Sequence, residues 1–149
     1  MCAAQGLQYE VDVLATQGQG KLVQGKVRSH ALATDQPEPF GGTDTAPNPP
    51  EAYAFALGAC LVSALRLIAS LENVDARNIQ VRVRGTLAIG KEAYEKSGQA
   101  GFPGFDLDVS FDSSLSGNEK KAFVDRVVKM CPVCANTCQE TPLRVAVVG

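Results

Sequence analysis

The chain has no block of lysine and arginine anywhere in its 149 residues, and its formal net charge is −2. Nothing draws it in bulk to nucleic acid or to an anionic membrane, so neither is expected as a partner. There is one histidine, His30, and no Gly-x-Ser-x-Gly turn. A Ser-His-Asp hydrolase has no footing on that inventory, and His30 reads as a surface strand residue rather than a base. The full phosphate loop, Gly-x-x-x-x-Gly-Lys followed by Ser or Thr, is also missing, which removes the P-loop nucleotide binders. The opening residues, Met1-Cys2-Ala3-Ala4-Gln5-Gly6, hold neither a basic nor an apolar signal region. The expected compartment is the cytosol, where thiols stay reduced. Internal repeats and low-complexity tracts are absent as well.

What is present suits a single domain over residues 1–149, with 45% hydrophobic and 20% charged residues. Five cysteines stand out: Cys2, Cys60, Cys131, Cys134 and Cys138. In a reducing compartment such a set points to catalysis or metal rather than to structural disulfides. An odd number leaves one unpaired in any single-chain scheme.

Periodicity supplies the elements. Tyr9–Ala15 alternates apolar and polar and reads as a strand. Gln17-Gly18-Gln19-Gly20 is a turn. Lys21–Val27 and Ser29–Thr34 complete an antiparallel meander. Pro37–Pro50 holds too much proline and glycine for a regular element and reads as a long ordered loop. Pro50 suits the first position of a helix, with Glu51 in the first turn. That helix, Glu51–Ser70, is apolar nearly all round, and such helices are buried. About 20 apolar residues can also span a bilayer, but Gly58, Ser63 and Arg66 interrupt the run and the remainder is strand-rich. A central helix packed between sheets and shared with a partner subunit is the expectation. Ile79–Ala88 and Phe105–Phe111 read as strands, flanking a Gly-rich loop at Gly98–Gly104. Ser116-Gly-Asn-Glu119 starts a helix that continues through Lys120–Met130. Cys131-Pro132 ends it, a Cys-rich turn follows, and Leu143–Val148 is a closing strand.

Cys60 lies mid-helix after Gly58 and Ala59. A free cysteine commonly acts as a small buried hydrophobe, inert unless a cation stabilises its thiolate. Arg28, Arg66, Arg82 and Arg84 are candidates for that cation. Glu51 sits nine residues earlier, roughly 13 Å away along the axis. It reaches Cys60 only through a long intermediary such as Arg; otherwise it is an ordinary helix-start charge. Three uses compete for Cys131-Pro132-Val133-Cys134 with Cys138. It is a redox pair, though it follows a helix instead of opening one. It is a zinc site of three thiols, though no second Cys-x-x-Cys or His pair completes it. Or Cys131 works with Cys60, with Cys134 and Cys138 as extras.

Three stretches together resemble the OsmC/Ohr family of thiol peroxidases: Gly41-Gly42-Thr43-Asp44-Thr45-Ala46-Pro47-Asn48-Pro49-Pro50-Glu51, then Ala56-Leu57-Gly58-Ala59-Cys60 through Leu65-Arg66, and Cys131-Pro132-Val133. The resemblance implies an α+β fold in which antiparallel sheets wrap a central buried helix, built as an intertwined homodimer. It implies reduction of organic hydroperoxides at the expense of a dithiol, with no cofactor and no metal. Cys60 is then the peroxidatic thiol, Cys131 the resolving thiol that forms a Cys60–Cys131 disulfide, and Glu51 the carboxylate that orients an activating Arg. Members of the Ohr branch carry that Arg in the first hairpin turn, where this chain has Gln17-Gly18-Gln19-Gly20-Lys21. Arg28 is the candidate replacement. Cys134 and Cys138 depart from the pattern too, as a second resolving route or a shuttle that carries the disulfide outward. A contrasting reading is a non-catalytic member that binds an apolar ligand, or a metal through Cys131, Cys134 and Cys138.

Overall fold

The computed structural model describes residues 9–87, 90–91, 95–96 and 101–148. The chain divides into two compact units, Met1–Ala52 and Tyr53–Gly149.

In the first unit three antiparallel strands form a meander: β1 (Leu14–Gln17), β2 (Val23–Val27) and β3 (His30–Thr34), in the order β1-β2-β3. Leu14 pairs with Lys26, and Val27 with His30. β1 begins later than the alternation from Tyr9 predicts. In that register the residues before Leu14 would face Val27 and Arg28, and there the partner chain turns away. Arg28 takes a left-handed φ of 53° in the β2–β3 turn. It therefore sits at the hairpin tip, between the two strands that the sequence predicts on either side of it. His30 is an exposed strand residue, as expected.

The loop that follows is held by Asp35, which is only 2% exposed. Its Oδ2 accepts from the Thr43 amide at 3.1 Å and hydroxyl at 2.7 Å, and from the Thr45 amide at 3.1 Å and hydroxyl at 3.0 Å. Four donors on one oxygen favour the ionised carboxylate. The Thr43 hydroxyl leads, and the Asp35 pKa falls far below the usual carboxylate range. One 3-10 turn, Glu38–Phe40, forms within the proline-rich stretch, where no regular element was expected.

Helix α1 (Pro49–Leu71) starts one residue before Pro50. Its entry is reciprocal: the Glu51 amide donates to Asn48 Oδ1 at 2.9 Å, and the Asn48 amide donates to Glu51 Oε2 at 2.8 Å. This is the logic of a capping box with Asn as the cap. By length and composition α1 is long and apolar enough to cross a membrane. Instead, Leu57, Leu61, Leu65, Ile68 and Ala69 are buried in a protein core.

That core belongs to the second unit. Strands β4 (Arg77–Arg84) and β5 (Asp106–Asp112) pair antiparallel. Ile79, Val81, Val83, Leu107, Val109 and Phe111 pack on the core. The outward face is a charge ladder with Arg82 opposite Asp108 and Arg84 opposite Asp106. Arg84 also pairs with Asp108, and that hydrogen bond raises the guanidinium pKa and lowers the carboxyl's. Unlike charges across the strands fix the register. Gly58 lets α1 approach this sheet, for a Cβ there would stand 3.1 Å from Val83 Cγ2. β4 stops at Arg84, short of the expected Ala88, which lies outside the described residues; so do residues 98–100 of the expected Gly-rich loop, while 101–104 are irregular.

Helix α2 (Gly117–Met130) carries a full capping box. Ser116 Oγ accepts from the Glu119 amide, and the Ser116 amide donates to Glu119 Oε2 at 2.8 Å. It buries Phe123 and Val127. The Cys-rich turn expected after it is a helix of its own, α3 (Pro132–Thr137). The expected strand Leu143–Val148 is not formed. Leu143, Val145 and Val147 alternate as a strand would, yet are 90%, 89% and 98% exposed. A strand exists only against a partner edge that takes its amides and carbonyls, and among the described residues this segment pairs with none.

Candidate active site

One residue joins the last two helices. The Cys131 amide donates to the Val128 carbonyl and closes α2, while its Sγ accepts from the Cys134 amide at 3.3 Å and opens α3. The sequence suggests that this Cys-x-x-Cys lacks the helix start typical of redox pairs; it lies at one after all, although the helix is only six residues long. Cys131 is fully buried and Cys134 is 4% exposed. Their sulfurs are joined as a disulfide, with Cα atoms 5.2 Å apart, a span that needs no backbone movement. Cys60 and Cys138 are free thiols. The resemblance pairs Cys131 with Cys60 during turnover; the partner it has here is Cys134, three residues away.

Cys60 is half-buried and packs against the core cluster that contains Cys131 and Cys134. At 100° per residue, Tyr53, Leu57, Cys60 and Ala64 fall on one stripe of α1. Tyr53 and Leu57 line a cavity of about 470 Å³, whose walls also include Phe105, Leu107, Cys134 and Cys138. Cys60 thus occupies the stripe of α1 whose preceding turns face this cavity.

The cavity wall is aromatic and tightly built. The Phe102 and Phe105 rings lie 4.4 Å apart, and Tyr53 and Phe105 5.8 Å. They rest on Gly85, where a Cβ would come within 2.8 Å of Phe105 and 2.9 Å of Phe102. Thr137 donates its hydroxyl to the Val133 carbonyl at 2.8 Å. Tyr53 must then supply the proton in the 2.9 Å bond between its hydroxyl and Thr137 Oγ1. This ties α1 to α3. The lining is mainly apolar, with sulfur as its reactive element, and suits an uncharged, hydrocarbon-bearing molecule.

The remaining site candidates are disposed as follows. Glu51 is committed through Oε2 to the start of α1. Among the described residues no ion pair joins it to Arg28. Arg84 is held by Asp108 on the outer face of β4. Arg66 is exposed on α1, six residues past Cys60 and so turned well away from its stripe. Among the described residues no three His, Cys, Asp or Glu side chains gather as a metal site would require. Sequence reasoning missed the Tyr53, Phe102 and Phe105 wall. The i, i+4, i+7 spacing of Tyr53, Leu57 and Cys60 was its one visible sign.

An α+β architecture with a long apolar helix, a half-buried thiol on it and a second pair of cysteines at a helix junction defines a cysteine-centred class of protein. Within that class the assignment is specific. The family model described as OsmC-like protein matches residues 42–146, and the chain belongs to the OsmC family. Its fold is similar to that of an OsmC-like protein from Mycoplasma pneumoniae, at 21% identity and a TM-score of 0.77, covering 87% of this chain and 88% of that one. It is similar to an OsmC-like protein of unknown function from Vibrio cholerae, at 13% identity and a TM-score of 0.72, covering 90% and 96%. It is also similar to the organic hydroperoxide resistance protein OhrB of Bacillus subtilis, at 21% identity and a TM-score of 0.62, covering 89% and 93%. No curated protein matches the sequence.

Proposed function

We propose that the protein is a thiol peroxidase that reduces organic hydroperoxides, with Cys60 as the attacking sulfur and Cys131 as the thiol that resolves it. The observation that carries this is the alignment of a free, half-buried Cys60 with the cavity-lining stripe of α1, packed into the cluster that holds Cys131. The Cys60 thiolate attacks the outer oxygen of R–O–O–H. The O–O bond breaks, the alcohol leaves with a proton, and Cys60 becomes a sulfenic acid. The reduced Cys131 thiol then attacks the Cys60 sulfur and expels water, giving a disulfide that an external dithiol reduces by exchange. The apolar, aromatic wall favours peroxides with hydrocarbon groups over hydrogen peroxide by partition. Arg28 is proposed as the cation that stabilises the Cys60 thiolate, positioned by Glu51. A cytosolic, reducing setting meets the need for the dithiol.

The protein is proposed to act as a homodimer. The exposed apolar residues Val13, Leu14 and Leu32 on or beside the meander, Phe55 and Leu67 on α1, and the chain end from Leu143 call for cover of that kind.

The test is stopped-flow consumption of cumene hydroperoxide by the reduced protein. The wild type is expected to consume one equivalent rapidly, and Cys60→Ala none. Undiminished consumption by Cys60→Ala would sink the assignment. The non-catalytic reading has one observation in its favour, the formed cavity, and would be left standing if neither protein reacts. Its metal version draws no support from the thiols, two of which are bonded to each other.

A further inference from the structure

Four cysteines lie in the second unit, and a two-cysteine cycle uses only Cys60 and Cys131. The observed bond joins Cys131 to Cys134, which that cycle leaves idle. We propose, on the basis of the peroxidase reading above, that Cys134 is a third redox-active residue: it takes over Cys131 from Cys60, and the Cys131–Cys134 disulfide is the form from which the external dithiol regenerates the enzyme.

Burial is what makes the third thiol useful. Cys131 has no exposed surface and belongs to the core. A reductant has no route to it there. Cys134 sits one helical turn on and borders the cavity of about 470 Å³. Tyr53, Leu57 and Phe105 wall that cavity, and the free Cys138 lies at its edge. Cys134, 4% exposed, is thus the member of the pair that borders the cavity through which a thiolate would come.

The steps balance. Cys60–SOH and Cys131–SH condense to Cys60–S–S–Cys131 with loss of water. The Cys134 thiolate attacks the Cys131 sulfur; the Cys131–Cys134 bond forms, the Cys60 bond breaks, and Cys60 leaves as a thiolate ready for the next peroxide. Its attack is favoured by tethering, since the two Cα atoms already stand 5.2 Å apart. A small-molecule or protein dithiol then attacks Cys134 from the cavity and expels the Cys131 thiolate. Its second thiol closes on the mixed disulfide, releasing Cys134 and the oxidised dithiol. Two electrons pass from the dithiol to the peroxide through three protein sulfurs.

Trypsin separates the players, because Cys60 falls in the peptide Ser29–Arg66 and the other three cysteines in Met130–Arg144. The full-length protein is reduced completely, given one equivalent of cumene hydroperoxide, alkylated, digested without reductant and mapped by mass spectrometry. Wild type is expected to give alkylated Ser29–Arg66, and Met130–Arg144 with an internal Cys131–Cys134 bond. Cys134→Ser is expected to trap the two peptides cross-linked through Cys60 and Cys131. With dithiothreitol as the supplied dithiol its turnover should fall by about tenfold or more, since reductant must reach a buried bond. If wild type stops at the Cys60–Cys131 cross-link while consuming peroxide, the relay is wrong and the peroxidase reading stands. If Cys60→Ala acquires the Cys131–Cys134 bond as fast as wild type, the bond does not descend from Cys60, and the relay is likewise wrong. If wild type leaves the peroxide unconsumed, the peroxidase reading falls and the relay with it.

Discussion

Asp35 shows how much of a loop one carboxylate can hold. Its Oδ2 accepts all four hydrogen bonds from Thr43 and Thr45 and so fixes the residues that lead toward Pro47. The pKa is depressed, so the bonus to stability is complete above the unfolded-state value of about 4 and drains away as pH falls toward the folded value. The thermal midpoint should therefore drop as the pH is taken below about 4, measured by circular dichroism. Asp35→Asn should lie several degrees lower at pH 7 and show a shallower acid dependence. An equal slope in both proteins would assign the acid sensitivity elsewhere, Glu119 being the next candidate because Ser116 holds its pKa down as well. Nothing in the sequence marks Asp35. Its partners lie eight and ten residues away, beyond any local cap or turn rule. Cys134 was in view: its Cys-x-x-Cys spacing offered a redox pair, a second resolving route or a shuttle, but spacing alone does not say that its sulfur meets that of Cys131.

At the level of elements, what was legible is what local chemistry decides. Ser116 and Glu119 announce α2, and the box forms. Ser116→Ala should cost about 0.5–2 kcal/mol in urea unfolding without changing the fold. The long α1 was legible from its apolar run, and its packing can be tested at Leu61, which is wholly buried. Leu61→Ala should cost about 2–5 kcal/mol, whereas Leu67→Ala on the exposed face should cost much less in a monomeric reference state. Equal losses would mean that the buried face has been assigned wrongly. Strand ends were less legible, because pairing decides them. β1 starts where its partner stops turning, and Leu143–Val148 has the period of a strand but pairs with no described neighbour. Alternation records which side a residue would face; it cannot record whether a neighbour is there.

For the whole molecule, the family assignment and the α+β class agree with the sequence reading. The single domain expected over 1–149 stays a proposal; the chain divides into two compact units, with α1 running through both ranges. The proposed dimer would cover the exposed apolar side chains. Sedimentation equilibrium at micromolar concentration is expected to give twice the monomer mass, and a chain ending at Pro142 to dissociate more readily. A monomer at all accessible concentrations would leave the exposed residues without their proposed cover.

Cys131 is at once the last word of one helix and the first of the next. In the proposed cycle the sulfur that accepts the Cys134 amide is also the sulfur that changes partners when electrons move. Oxidation state is thereby written into the main chain. In a ¹⁵N-labelled sample the Cys134 amide resonance should serve as a built-in gauge, shifting with each change at the Cys131 sulfur, so that the redox history of the site can be followed in real time without an added probe.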